Sequence, residues 1–115
     1  MLEVDSGTFA AEVVRSQMPV VVDFWGPRCA PCLALMPQVE KLAAACGEKA
    51  KFVKVDASKN RRLCLELRVM SLPTYLFYKN GEDVARLAGP GICIRDIEER
   101  LQKILEHDGD LAEAP

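Results

Sequence analysis

Hydrophobic residues along the chain switch repeatedly between a strand period and a helix period, and each switch marks an element boundary. Leu2 to Val4 reads as a short edge strand, and Ser6 precedes Phe9, Val13 and Val14 at helical spacing, which predicts a Ser6-capped helix ending before Pro19. Val20 to Phe24 is an apolar run broken only by Asp23, the pattern of a central strand covered on both faces. From Cys32 the period lengthens. Cys32, Leu35, Met36, Val39, Leu42, Ala43 and Cys46 predict a helix that starts at the cysteines, bends at Pro37 and stops near Gly47. Lys51 to Asp56 follows as a strand, and Ser58 to Arg68 as a helix with Leu63, Cys64 and Leu67 inward. Two strands flank Asn80-Gly81, a strong hairpin signal, and Gly89 to Gly91 breaks the chain. Ile94, Ile97, Leu101, Ile104 and Leu105 mark a closing amphipathic helix.

The resulting order, β-α-β-α-β-α-β-β-α, predicts an α/β fold with a central mixed sheet flanked by helices on both faces. One domain is expected over residues 1–107, with a short, acidic, frayed tail over 108–115. A chain of 115 residues can bury one continuous core without disulfide or metal staples. Half of it is hydrophobic and 28% is charged, an ordinary globular balance. The formal net charge of -2 supplies no basic field, which argues against nucleic acid and anionic membrane as partners. No apolar run approaches the roughly 20 residues that span a bilayer, and the first residues lack a secretory pattern, so a cytoplasmic location is expected. Five cysteines, an odd number with one close pair, fit a reducing compartment better than a secreted disulfide framework.

The close pair carries the chemistry. Cys29 and Cys32, two residues apart at a helix start, sit about one turn apart and can form and open a disulfide without unwinding the backbone. Unpaired N–H groups and the positive end of the helix dipole favour a thiolate there, so Cys29, the outer of the two, is the expected nucleophile. Cys32, one turn deeper, is placed to attack the mixed disulfide that Cys29 forms with a substrate. That attack requires Cys32 to lose a proton in an apolar setting, which calls for a base. Asp23, embedded in the strand leading to the site, would have its pKa raised by burial and become a usable acceptor near neutral pH. Lys54, set among apolar residues on the next strand, is the natural charge partner of Asp23.

An ordered set of landmarks now resembles the thioredoxin family over roughly Leu2 to Glu106. They are Asp23 in its strand, Trp25, the Cys29-Ala30-Pro31-Cys32 pair, Pro37, Lys54, Leu72-Pro73-Thr74, the Asn80-Gly81 turn and Gly89. The resemblance implies a disulfide reductase that takes electrons from a thioredoxin reductase or equivalent and passes them to disulfide-containing proteins. It would act as a monomer, with the Cys29–Cys32 disulfide as redox group and no metal or organic cofactor. It also implies that Pro73 is a cis-proline facing the disulfide, that the Leu72 backbone pairs with an extended substrate, and that Trp25, Gly26, Pro31, Leu72, Pro73 and Gly89 form the docking surface. Two positions depart from the family pattern: Ala30 replaces the usual glycine, and Arg28 replaces a second tryptophan. Arg28 adds a cation beside Cys29 and removes aromatic contact area, so an altered partner preference is expected.

Blander readings stand beside these. A zinc site would want about four ligands, and Cys46, Cys64, Cys93 and His107 form no second close pair with the first. Cys46 and Cys64 read as core packing, Cys93 as a small buried filler near a helix start, and His107 as a solvated charge. Asp23 can be read as a structural acid satisfied by Lys54, and Trp25 as a core aromatic. Two alternative functions belong to other classes: a thiol oxidant or isomerase, and a non-catalytic binding module.

Overall fold

The computed structural model describes residues 1–113, with side chains through Glu106. Its five-stranded mixed sheet comprises β1 (Leu2–Glu3), β2 (Val20–Trp25), β3 (Lys51–Asp56), β4 (Thr74–Lys79) and β5 (Glu82–Ala88), in the order β1-β3-β2-β4-β5. β1 and β2 run parallel to β3, while β4 runs antiparallel to both β2 and β5. Among the described residues the α-helices are α1 (Ala30–Cys46), the six-residue α2 (Arg61–Glu66) and α3 (Ile94–Glu113). This is the predicted element order and fold class.

The period-2 pleat of β2 explains how one strand serves two cores. Val20, Val22 and Phe24 point into a cluster with Val4, Phe9, Val13, Val55, Leu63 and Tyr78 on the α2 side. Val21 joins Leu35, Val39, Phe52, Tyr75, Phe77, Ile97 and Leu101 on the face covered by α1 and α3. Asp23 and Trp25 alternate in phase with Val21, so the acid belongs to the α1 and α3 face. β2 is the middle strand, and Asp23 is therefore walled by chain on every side.

The hairpin turn places Asn80 and Gly81 at φ 53° and 81°, both left-handed, as a tight turn with right-handed strand twist requires. Gly47, at φ 57°, ends α1 where expected.

Four details differ from the expectations. The first helical segment is a short π-helical turn, Ala10–Val14, whose N-cap Phe9 has no side-chain cap, and the turn leading into it is tied by Asp5 rather than Ser6. Asp5 Oδ1 accepts from the Gly7 and Thr8 amides, and Thr8 Oγ1 accepts in return from the Asp5 amide, a reciprocal box that leaves Ser6 free to bond Asn60. Phe9 and Val13 are buried there, while Val14 is exposed. The helix predicted over 58–68 is two pieces, a 3-10 turn (Ala57–Lys59) and α2, separated at Asn60, whose φ of -134° is not helical. Asn60 is held out of the helix because its side chain is committed to Asp56 and Ser6. Arg68, at φ 58°, closes α2, and the Arg86 guanidinium donates to the carbonyls of Leu67 and Arg68. Finally, α3 spans Ile94–Glu113, beyond Leu105, the last of the apolar positions that marked the closing helix. The His107 side chain and residues 114 and 115 lie outside the described residues.

Candidate active site

Cys29 is the N-cap of α1: its φ and ψ are extended, and its sulfur accepts from the Cys32 amide at 3.3 Å, meeting one of the orphan N–H groups of the first turn. The Cys29 amide donates to the Gly26 carbonyl at 3.1 Å, so a tight turn delivers the chain from β2 into the helix. Cys29 and Cys32 form a disulfide with a Cα–Cα distance of 5.3 Å. Cys29 is half-exposed and Cys32 has no exposure at all. The outer sulfur can therefore meet a partner, whereas the inner one is reached only through it.

Three segments distant in sequence assemble around this pair. The Leu72–Pro73 peptide bond is cis, as the resemblance implied. The Pro73 carbonyl accepts from the Gly89 amide at 2.9 Å, and Gly89 adopts φ 105°, a conformation that L side chains rarely take. A Cβ added at Gly26 would stand 3.2 Å from Leu72 Cδ1, so this glycine permits the close approach of the two loops. An open, mainly apolar groove of about 590 Å³ runs beside Cys29, lined by Gly26, Pro27, Arg28, Cys29, Ser58 and Leu72. Arg28 and Pro31 are exposed, and Trp25 is half-buried.

Asp23 is 1% exposed, and neither carboxyl oxygen has a protein hydrogen-bond partner among the described residues. Burial pushes its pKa up to about 7; the Tyr75 hydroxyl and the Lys54 charge act in the opposite direction, and neither offsets it. Lys54 is the register partner of Asp23 on β3, yet its ammonium lies over the Trp25 ring, 5.6 Å from the centroid. The ion pair expected from the sequence is thus a through-space attraction and not a bonded contact. On the other flank, Tyr75 of β4 is the antiparallel register partner of Asp23. Its hydroxyl lies near enough to favour the carboxylate but falls short of hydrogen-bond geometry, and it too has no other protein partner among the described residues. The sequence had offered no local signal for Tyr75, because only sheet register brings it to Asp23.

The remaining cysteines separate. Cys64 is buried and Cys46 half-buried, and burial raises both thiol pKa values, as core packing implies. Cys93 is exposed, contrary to the buried filler expected. It stands just ahead of α3, where its amide donates to Asp96 Oδ2 at 2.9 Å, while Ile92, Ile94 and Ile97 take the inward positions of this segment. No group of three or more His, Cys, Asp or Glu side chains among the described residues is arranged to hold a metal ion. No helix there is long and apolar enough to cross a membrane.

A mixed sheet that carries a disulfide at the N-terminus of a helix, one sulfur half-buried beside an open groove and the other fully buried, defines a dithiol–disulfide exchange protein. The Thioredoxin family model matches residues 1–103. The chain is 36% identical over 105 residues to a thioredoxin of Acetoanaerobium sticklandii, covering 91% of this chain and 100% of that protein. It is 36% identical over 103 residues to a thioredoxin of Peptoclostridium acidaminophilum, covering 90% and 94%. A bifunctional thioredoxin reductase/thioredoxin of Mycobacterium leprae is 34% identical over 88 residues, 76% of this chain and 19% of that protein. The chain belongs to the thioredoxin family, and with its Cys29–Cys32 pair it is a thiol–disulfide oxidoreductase of the protein-disulfide reductase type.

Proposed function

We propose that this protein reduces disulfides in other proteins through Cys29 and Cys32, with Asp23 moving the proton and Lys54 tuning it. In the reduced protein the Cys29 thiolate attacks one sulfur of the substrate disulfide, forming a mixed disulfide and releasing the first substrate thiolate. Asp23 takes the Cys32 proton, and the Cys32 thiolate attacks the Cys29 sulfur. That bond closes as the mixed disulfide opens, and the second substrate thiolate leaves. Two electrons pass to the substrate and the Cys29–Cys32 disulfide remains. A thioredoxin reductase or equivalent returns two electrons; the joining of a thioredoxin reductase to a thioredoxin in one chain of Mycobacterium leprae supports this partner. The protein works in the cytoplasm, as a monomer, with no metal or organic cofactor.

The observation that carries the reading is the asymmetry of the two sulfurs: Cys29 is half-exposed at the cap of α1 and Cys32 is fully buried behind it. Trp25, Gly26, Arg28, Pro31, Leu72, Pro73 and Gly89 form the docking surface, in which the Leu72 backbone receives an extended segment of the substrate. Arg28 holds a cation beside the attacking sulfur and biases the surface toward partners other than those that use an aromatic contact there.

The test combines turnover with trapping. With a thioredoxin reductase as electron donor and a disulfide-bonded protein as acceptor, the natural chain turns over and Cys29→Ser does not. Cys32→Ser accumulates a stable mixed disulfide through Cys29. Turnover by Cys29→Ser, or trapping through any other cysteine, would overturn the assignment.

A further inference from the structure

The base of the resolving step has a second neighbour with no assigned task. Tyr75 lies directly opposite Asp23 across the β2–β4 pair, on the same sheet face. Its side chain is fully buried, and its hydroxyl and both Asp23 oxygens have no hydrogen-bond partner among the described residues. Two orphaned polar groups that face one another in an apolar layer have each other as the available means of satisfaction. We propose that Tyr75 is a positioning residue for the proton acceptor: a small shift brings its hydroxyl into donating range of the Asp23 carboxylate once that is ionised, and favours the form that takes the Cys32 proton.

This inference rests on the reading of Asp23 as the base. The groups around Asp23 are few. β3 contributes Lys54, whose ammonium is drawn over Trp25; β2 itself contributes the Trp25 indole, whose N–H is also unpartnered. α1 brings Leu35 and Val39, and α3 brings Ile97 and Leu101, none of which carries a charge, into the same core layer. A hydroxyl suits both protonation states. Before transfer its hydrogen points at the carboxylate; after transfer the phenolic oxygen accepts from the new carboxylic O–H, and one rotation about the C–O bond converts the two. The phenol stays protonated throughout, because burial first and the Asp23 charge second raise its pKa.

The experiment follows release of a chromophoric thiol from a mixed disulfide preformed on Cys29, across pH 5 to 9, in the natural chain, in Tyr75→Phe and in Asp23→Asn. Tyr75→Phe keeps the ring and deletes the donor. The midpoint of its release profile moves to higher pH, release at pH 6 slows by about three- to tenfold, and the curves converge above both midpoints. Fluorotyrosine incorporated at position 75, a more acidic donor of nearly the same size, moves the midpoint the other way and guards against a packing artefact. Coincident profiles, or slowing by one factor at every pH, would overturn the role of Tyr75. Asp23→Asn separates the two levels: release as fast as in the natural chain overturns the base itself, whereas slow release with an unmoved Tyr75→Phe midpoint overturns only the role of Tyr75.

Discussion

Asp23 and Asp56 sit on neighbouring strands of one sheet, 1% and 4% exposed, and their surroundings are opposite. Asp56 ends β3, where its carboxylate accepts from the Ser58 amide at 2.9 Å and the Ser58 hydroxyl at 2.6 Å, and its carbonyl accepts from the Asn60 side chain at 2.9 Å. Asp23 lies in mid-strand with no hydrogen bond to either oxygen among the described residues. A chain end that curls into a 3-10 turn has free amides to offer an acid. The middle of a strand has none, since the ladder consumes them. The first acid is therefore stabilised in place and ties a loop. The second is destabilised as an ion, and that is the property a proton acceptor working near neutral pH requires.

The comparison breaks most visibly at Asp23→Asn, whose effect on stability is expected to be large and favourable. In the unfolded chain this carboxyl ionises with a pKa of 3.8, and in the folded protein with one of about 7. Between those values the folded protein keeps a proton that the unfolded chain has lost, so stability falls as pH rises through the window and stays low above it. Asparagine removes the titration. At about 1.4 kcal/mol per pH unit the gain approaches on the order of 4 kcal/mol above pH 8 and vanishes below pH 4. Denaturant unfolding of both proteins at pH 4 and pH 8 checks this. A loss of stability at pH 8 would mean that the carboxylate is held in place like Asp56.

Asn60→Ala gives the opposite sign at the other acid, with an expected loss of about 2 kcal/mol, as three hydrogen bonds disappear from a buried junction. It should also loosen the entrance to the first helical turn, because Asn60 Oδ1 accepts from both the amide and the hydroxyl of Ser6. Hydrogen exchange at the Ser6 and Ser58 amides would register that loosening. Unchanged protection would show that Asp5 and Thr8 hold the entrance alone.

These contrasts also mark how far the sequence could be read. Element order, the buried strand around Asp23, the helix at Cys32 and the Asn80-Gly81 turn follow from local periodicity and turn chemistry, which a linear reading captures. The capping role was assigned to Ser6 because serine, like aspartate, is a good N-cap; the choice of Asp5 depends on Asn60, 54 positions away, claiming Ser6. The break at Asn60 was hidden for the same reason, since helix periodicity continues through it. Cys93 was misplaced because the Gly89 to Gly91 turn resets the helical phase. Tyr75 was illegible in a stronger sense: its sequence neighbours mark it only as one more apolar strand residue, and the antiparallel register alone sets it against Asp23.

Ser58→Ala is the smallest change and sharpens the comparison most narrowly. The hydroxyl donates to Asp56 Oδ1 at 2.6 Å, while the backbone amide of the same residue donates to the same oxygen at 2.9 Å. Alanine removes the first bond and leaves the second. Ser58 itself is exposed, so water can reach the vacated side of the carboxylate and replace part of what is lost. The expected cost is about 1 kcal/mol in denaturant unfolding at pH 7, below that of Asn60→Ala. A Ser58→Ala cost as large as that of Asn60→Ala would show that the hydroxyl, and not the backbone amide beside it, holds Asp56, and the satisfied member of the pair of acids would then owe its place to one side chain.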